Sequence, residues 1–389
     1  MNRNTPVASD TVALFGLPIT NVTMAQAVSR IAQFVDSGKL HQIATANLDF
    51  ARNSLRDPYL QRIICECSMV LPDGAPMLWA ASIFRCPLRE RVTGVDLVPE
   101  LARLSEQRGF GIFLLGSTDS SSKRAADVLM KRFPGMKIVG RCCPEASFLT
   151  EKNHDSIIAQ IRDSGAQIVM VGFGNPKQEM WIHRHKDQLP PAVYIGIGGS
   201  LDIVAHSRRR APRWMQRMYL EWCFRMVQEP IRLFPRYARD AATLLGHLPA
   251  GIVANRMQPF ERRQRGSAVD VRSGARVVVT PGKLGGRAAA ILLTEAQRAI
   301  AGGEMLVIDM SATLRVEAEG LGGLLEARRL LLDAKLPIRL TSMSASVKRV
   351  LQVSAVLDLF ATACTTAGAL QPGTALQKDA QDVLRRQSM

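Results

Sequence analysis

The chain has 389 residues, of which 47% are hydrophobic and 22% charged, and a formal net charge of +16. This composition excludes a chain disordered throughout, gives room for two domains, and points to anionic partners: nucleic acid, acidic lipid or phosphorylated substrates. Seven cysteines, an odd count without a CxxC pair, read as reduced thiols and argue against a disulfide framework and a zinc site, and no apolar run approaches the roughly 18 residues that cross a bilayer.

The N-terminus carries no long apolar core of the secretory kind, so no signal peptide is expected. From residue 11 to about 190, short apolar runs alternate with helix-like segments, as in βα units. HQIATANLD (41 to 49) and SMVLPDG (68 to 74) read as strands that end in polar residues. GFGIFLLGSTDSSSKRAADVLMKRF (109 to 133) reads as a strand, a turn at Gly116 and a capped helix. MKIVG, AQIVMVGFG and AVYIGIGG complete a doubly wound α/β sheet, whose ligands bind at the carboxyl ends of the strands.

After His206 the character changes. Residues 208–265 hold 13 arginines, no lysine and 4 acidic residues, a local charge of 13 − 4 = +9. Met215, Met218, Trp222 and Met226 step along one helical face, and Arg213, Arg217 and Arg225 along another. Three readings of this segment stand side by side: a helix in an anionic membrane interface, a buried core helix and a nucleic-acid patch. A polar linker follows, and from about Ala275 strands and helices alternate again in a second, small α/β domain of about ninety residues.

VGFGNPKQEMW (171 to 181) is either a tight βα turn or a backbone cradle in which Gly172 and Gly174 admit a ligand while Lys177 and Gln178 offer donors. It lacks the spacing of a P-loop. GIGGSLD (196 to 202) lies on the same rim, so Gly198 joins the first turn, and Asp202 serves as a ribose or base partner or as an acidic residue at a helix start. Thr45, Asn47 and Asp73 end the first two strands. Asp73 with Gly74 is a turn or, beside a substrate hydroxyl, a general base. Arg91 either offsets charge on a leaving phosphate or lies on the surface.

TAN (45 to 47), LPDG (71 to 74), RVTGVDL (91 to 97), FLLGS (113 to 117), VGFGNPKQEMW, GIGGSLD, RAPRWM (210 to 215) and EWCFRMVQEPIRLFPRY (221 to 237) together resemble the WecG/TagA/CpsF family of bacterial glycosyltransferases over residues 11–240. The resemblance implies an inverting transfer from a UDP-sugar donor to a polyprenyl-diphosphate-linked acceptor, at the cytoplasmic face of the membrane and without metal or cofactor. It makes Asp73 the base with Thr45 and Asn47 beside it. Arg91, Gly116, Gly174, Gln178, Gly198 and Asp202 then surround the nucleotide, and Arg225, Arg232 and Arg236 close over the diphosphate. No Asp-x-Asp pair occurs, and arginines with helix N-termini can take a metal's place at the leaving group. The family reading favours an anionic membrane surface over nucleic acid as partner of the arginine-rich segment. It allows N-acetylmannosamine, its uronic acid or glucose as the sugar. Two positions depart from the family pattern: PEASF (144 to 148) replaces a Gly-Tyr-Phe turn, and His206 and Ser207 stand before RAP.

VIDMSATLRVEAEGLGGLLEARRLL with SASVKRVLQVSAVLDLF resembles the STAS domain of anti-sigma-factor antagonists. Glu317 and Ala318 occupy the positions of the Asp-Ser switch pair, so the resemblance implies a protein-docking module that phosphorylation does not control. The expected fold is therefore a Rossmann-like doubly wound α/β core (11–206), a helical arginine-rich appendage (207–245), a linker (246–273), a small STAS-like α/β domain (274–366) and a tail (367–389).

Overall fold

A computed structural model of the protein describes residues 10–144, 154–205, most of 211–246, 268–272 and 274–370. Packing divides the chain into two compact units, Ile19–Leu245 and a second made of Met1–Pro18 with Gly246–Met389. The sequence pattern opens the first domain at residue 11, whereas residues 11–18 group with the second unit. Strand β1 (Thr11–Leu14) leads through a turn at Phe15 and Gly16 into β2 (Leu17–Thr20), and β1 lies along the helix Ala318–Asp333. Thr11 Oγ1 donates to Glu326 Oε2 at 2.8 Å, and a Cβ on Gly322 would stand 2.0 Å from the Thr11 carbonyl oxygen. A glycine at 322 lets the strand backbone reach the helix.

In the first unit, α1 (Met24–Asp36) starts at Thr23, whose side chain and that of Gln26 form a reciprocal capping box. Then follow β3 (His41–Ala46), α2 (Leu48–Arg56), α3 (Pro58–Cys65), β4 (Met69–Pro72), α4 (Ala75–Ile83) and α5 (Gly94–Arg108). The second half runs β5 (Gly111–Gly116), α6 (Asp119–Arg132), β6 (Lys137–Cys142), α7 (Asp155–Asp163), β7 (Ile168–Gly172), α8 (Lys177–His185), β8 (Val193–Gly196) and α9 (Ser200–Val204). The strands form one six-stranded sheet in the order β4-β3-β8-β7-β5-β6, every pair parallel. This is the doubly wound sheet expected from the sequence.

Burial on both faces explains why the strands read as continuous apolar runs. Ile112 and Leu114 face a core with Ile31, Leu101, Met170 and Ile195, while Phe113 and Leu115 face another with Val169, Val171 and Tyr194. Only β6, at the edge, is partly exposed along its length. Chain order reverses direction around the central pair β8-β7, so the turns after β3, β4, β7 and β8 converge at one rim. After the core, a helix spans Glu221–Gln228.

The second unit holds a five-stranded sheet ordered β15-β14-β12-β10-β9. Here β9 is Ala268–Arg272, β10 Ala275–Val279, β12 Met305–Asp309, β14 Ile338–Thr341 and β15 Ala361–Ala363, while β11 (Lys283–Leu284) and β13 (Arg315–Val316) pair separately. Strand β9, antiparallel to β10, lies inside the stretch that reads as linker. Its Val269 and Val271 are exposed, so this edge strand lacks a buried face to mark it. Helices Gly286–Gly302 and Ala318–Asp333 pack tightly, since a Cβ on Gly323 would come within 2.4 Å of Ala289 Cβ. The helix Ala318–Asp333 starts at Glu317, which pairs with Lys283 at 3.0 Å. Most of the expected tail, 371–389, lies outside the described residues.

Candidate active site

The converging turns enclose a cleft of about 620 Å³, within the range of small-molecule sites. Its lining includes Thr45, Asn47, Asp73, Arg91, Gly174, Gln178, Gly198 and Asp202, so eight residues singled out in the sequence share one cavity. Gly116 stands behind the wall, where a Cβ would meet Phe173 at 2.9 Å and the Gly172 backbone at 3.0 Å. Arg225 lies on the helix Glu221–Gln228, but its side chain is outside the described residues, as are Arg232 and Arg236. The two departures from the family pattern, at 145–148 and 206–207, also fall outside them.

Asp73 follows β4 directly and is half-buried. Its N–H donates to the Ala46 carbonyl at 2.8 Å, and Gly94 N–H approaches its Oδ2 at 3.4 Å. Gly74, at φ 123°, then turns the chain into α4, a conformation that L side chains resist. Beside it, Asn47 Oδ1 accepts from the Asp49 and Phe50 N–H groups and caps α2. The Thr45 hydroxyl donates to the Gly196 carbonyl at 2.8 Å and ties β3 to β8. These two residues thus shape the floor beside Asp73. Across the rim, Ser117, at φ 63°, donates its hydroxyl to Asp202 Oδ1 at 2.7 Å and fixes that carboxylate.

Gln178 differs from the expectation of an amide offered to a ligand. It is 1% exposed, and its Oε1 accepts from both Gly174 N–H and Gly198 N–H at 3.1 Å. Those two N–H groups are engaged by a side chain of the protein, so the turns do not present them as a phosphate cradle. Gln178 Nε2 donates to Glu179 Oε1 at 2.7 Å, and Asn175 Nδ2 faces Glu179 Oε2 at 3.3 Å. Burial pushes the Glu179 carboxyl up to about 7, against the hydrogen bonds from Gln178 and Asn175 that favour its charged form. Gly196 makes room for this pair, since a Cβ there would stand 2.4 Å from Gln178 Nε2.

The opposite wall comes from residues 221–241. Glu221 accepts from Arg91 Nη1 at 3.2 Å, both side chains being largely buried, and Asp96 lies 3.9 Å from the same guanidinium. Arg52 pairs with Asp49 in its own helix and stands 3.2 Å from Asp240. Trp222 and Tyr237 line the cleft and meet edge to face at 5.9 Å. Trp222 is therefore half-buried on the cleft side, and among the described residues of this segment Trp214, Met218, Val227, Ile231 and Phe234 reach solvent. Glu179, Asn175, Ser117, Glu221 and Asp240 are site residues that sequence reasoning missed. Only Ser117, Asn175, Glu179 and Glu221 sit inside motifs that could have drawn attention to them.

Residues 12–257 match the family model described as the glycosyl transferase WecG/TagA/CpsF family. The chain belongs to this family. Among curated proteins, this WecG/TagA/CpsF-family glycosyltransferase is 28% identical over 199 residues to an N-acetylglucosaminyldiphosphoundecaprenol N-acetyl-beta-D-mannosaminyltransferase of Bacillus spizizenii, covering 51% of the chain and 76% of that protein. It is 26% identical over 220 residues to the protein of the same name from Staphylococcus aureus, covering 56% and 85%. Among solved structures, an RsbS protein of Moorella thermoacetica aligns at 23% identity over 31% of the chain and 99% of its own length, with a TM-score of 0.25. The anti-sigma factor antagonist SpoIIAA aligns at 16% identity over 31% and 98%, with a TM-score of 0.23.

Proposed function

We propose that the cleft binds a UDP-sugar and transfers its sugar, with inversion, to a polyprenyl-diphosphate-linked acceptor during synthesis of a cell-surface polysaccharide. The observation that carries this reading is the gathering of Asp73, Arg91 and Asp202 around one cavity, in a family whose curated relatives are named as N-acetylmannosaminyltransferases of an N-acetylglucosaminyldiphosphoundecaprenol. Asp73 takes the proton of the acceptor hydroxyl as its oxygen bonds to the anomeric carbon, and the bond from that carbon to the UDP oxygen breaks with its electron pair going to UDP. Arg91 and the arginines of the appendage offset the charge that develops on the diphosphate, so the reaction needs no metal. Asp202, held by Ser117, takes the nucleoside end. N-acetylmannosamine is the first donor sugar to test, since it appears in the relatives' name.

With such an acceptor the enzyme works at the inner face of the membrane. Among the described residues no helix is long and apolar enough to cross a bilayer. Val227, Ile231 and Phe234, spaced four and three apart and 79%, 93% and 62% exposed, fit a peripheral contact beside the arginines of residues 208–239. The STAS-like unit is proposed as a docking site for a protein partner. One assay tests the whole reading: purified enzyme with UDP-N-acetylmannosamine, then other UDP-sugars, and a polyprenyl-diphosphate-linked N-acetylglucosamine acceptor on anionic vesicles with EDTA present. Transfer is expected, and Ile231→Ser with Phe234→Ser should release the enzyme from the vesicles. Tight UDP binding with no transfer from any UDP-sugar would favour a non-catalytic nucleotide-sensing scaffold instead.

A further inference from the structure

We infer that Glu179 is a positioning residue of the donor site, whose buried carboxylate sets the amides of Gln178 and Asn175 and through them the two glycine turns that wall the cleft. The inference rests on the reading of the cleft as a UDP-sugar site.

The hydrogen bonds leave little freedom in assigning the groups. Two backbone N–H groups, from Gly174 and Gly198, converge on one terminal atom of Gln178, so that atom is the carbonyl oxygen. Its other terminal atom is therefore the amide nitrogen, a donor, and Glu179 Oε1 at 2.7 Å must accept. On the far side, Asn53 Nδ2 donates to Asn175 Oδ1 at 2.8 Å, which turns the Asn175 NH₂ toward Glu179 Oε2. Both oxygens of Glu179 thus meet donors. A carboxylate satisfies that demand, whereas a glutamine has one acceptor and one donor, and an alanine has neither. Gln42 Nε2, reaching from β3 to the Glu179 carbonyl oxygen at 3.2 Å, fixes the backbone at the same point.

This arrangement has a mechanical consequence. Gln178 Oε1 is the shared tie between the turn after β7 and the turn after β8, and Glu179 prevents its amide from flipping. Were the amide to flip, two backbone donors would face an NH₂ group inside a water-poor wall, where unpaired donors are costly. Asn175 lines the cleft itself, so the same carboxylate also sets a surface that the ligand meets. Glu179 has no direct contact with a reacting atom in this scheme and acts through its neighbours.

The test uses Glu179→Gln and the double variant Asn175→Asp/Glu179→Gln in the full-length protein. In the single variant one donor meets another. UDP, used as the probe in calorimetric titration, should bind about 10-fold more weakly, or about 1.4 kcal/mol, and amide exchange at Gly174 and Gly198 should accelerate in the ligand-free protein. In the double variant the carboxylate introduced at position 175 can accept both from Asn53 Nδ2 and from the side-chain amide introduced at position 179. Amide protection at Gly174 and Gly198 should then return to within about twofold of the wild type. Wild-type affinity and protection in Glu179→Gln, or a double variant whose amide protection is no better than that of the single one, would overturn the inference. Failure of the wild type to bind UDP strikes the donor-site reading, whereas unchanged amide exchange in Glu179→Gln strikes the positioning role, so the two failures are distinguishable.

Discussion

One wall of the cleft is backbone and amide: the turns after β7 and β8, joined by Gln178 and set by the single buried carboxylate of Glu179. The wall opposite, from Glu221 to Ala241, is attached by carboxylate–guanidinium pairs, Glu221 to Arg91 and Asp240 to Arg52, and turns apolar side chains to solvent. The first wall is organised before any ligand arrives. The second holds on partly through Arg91, the arginine that the proposed reaction needs at the diphosphate, so its docking and ligand binding draw on the same charge. A rigid turn pair can define where the nucleotide lies, while an ion-paired wall can respond to what has been bound.

Removing the Asp73 carboxylate should have the largest effect. Asp73→Ala is expected to lower the transfer rate about 10²–10⁴-fold, the range of a lost general base, while UDP titration gives the wild-type affinity. A parallel loss of UDP affinity would make Asp73 part of the turn framework and remove it from the chemistry. Next in size comes Glu221→Gln, which takes the buried carboxylate away from Arg91. Limited proteolysis of the 211–243 segment should accelerate about tenfold, because a buried guanidinium deprived of this carboxylate weakens docking, and UDP affinity should hold or rise. If UDP affinity instead falls in step with docking, the two walls bind as one body and the contrast between them fails.

The sheet was legible in the sequence because its strands are buried on both faces, which leaves an apolar signature for β5, β7 and β8. The rim rule then gathered Asp73, Gly198 and Asp202 without any three-dimensional information. What it could not supply is the partner of each side chain. Gln178 reads as a ligand donor because nothing local announces that Gly174 and Gly198 will both turn to it, and nothing in a polar helix start marks Glu179 as buried. Glu221 meets Arg91 across 130 residues, and Thr11 meets Glu326 across 315. Strand β9 hid in an arginine-rich linker because its valines are exposed, and helical spacing alone does not say that Trp222 faces the cleft.

A pH titration tests the amide wall. The groups facing the Glu179 side chain are the amides of Asn175 and Gln178, with Gln42 on its backbone oxygen, and burial raises its pKa from the usual 4.5 to about 7. Between these values the folded protein holds a proton that the unfolded chain has released, so this group's contribution to stability falls as pH rises through that window and levels off above it. The full change is on the order of 3 kcal/mol. Ligand binding should move the other way, because both oxygens accept N–H donors only when the carboxyl is ionised, and UDP affinity therefore rises several-fold over the same interval. Thermal unfolding without ligand and UDP titration, each run from about pH 5 to about pH 8 on wild type and on Glu179→Gln, read the two slopes. A glutamine has no proton to lose, so the difference between the proteins isolates this group from every other titration. Opposed slopes in the wild type that vanish in the variant would place one titrating carboxyl behind the neutral-looking wall, and slopes that survive the substitution would show that the wall's pH response comes from elsewhere.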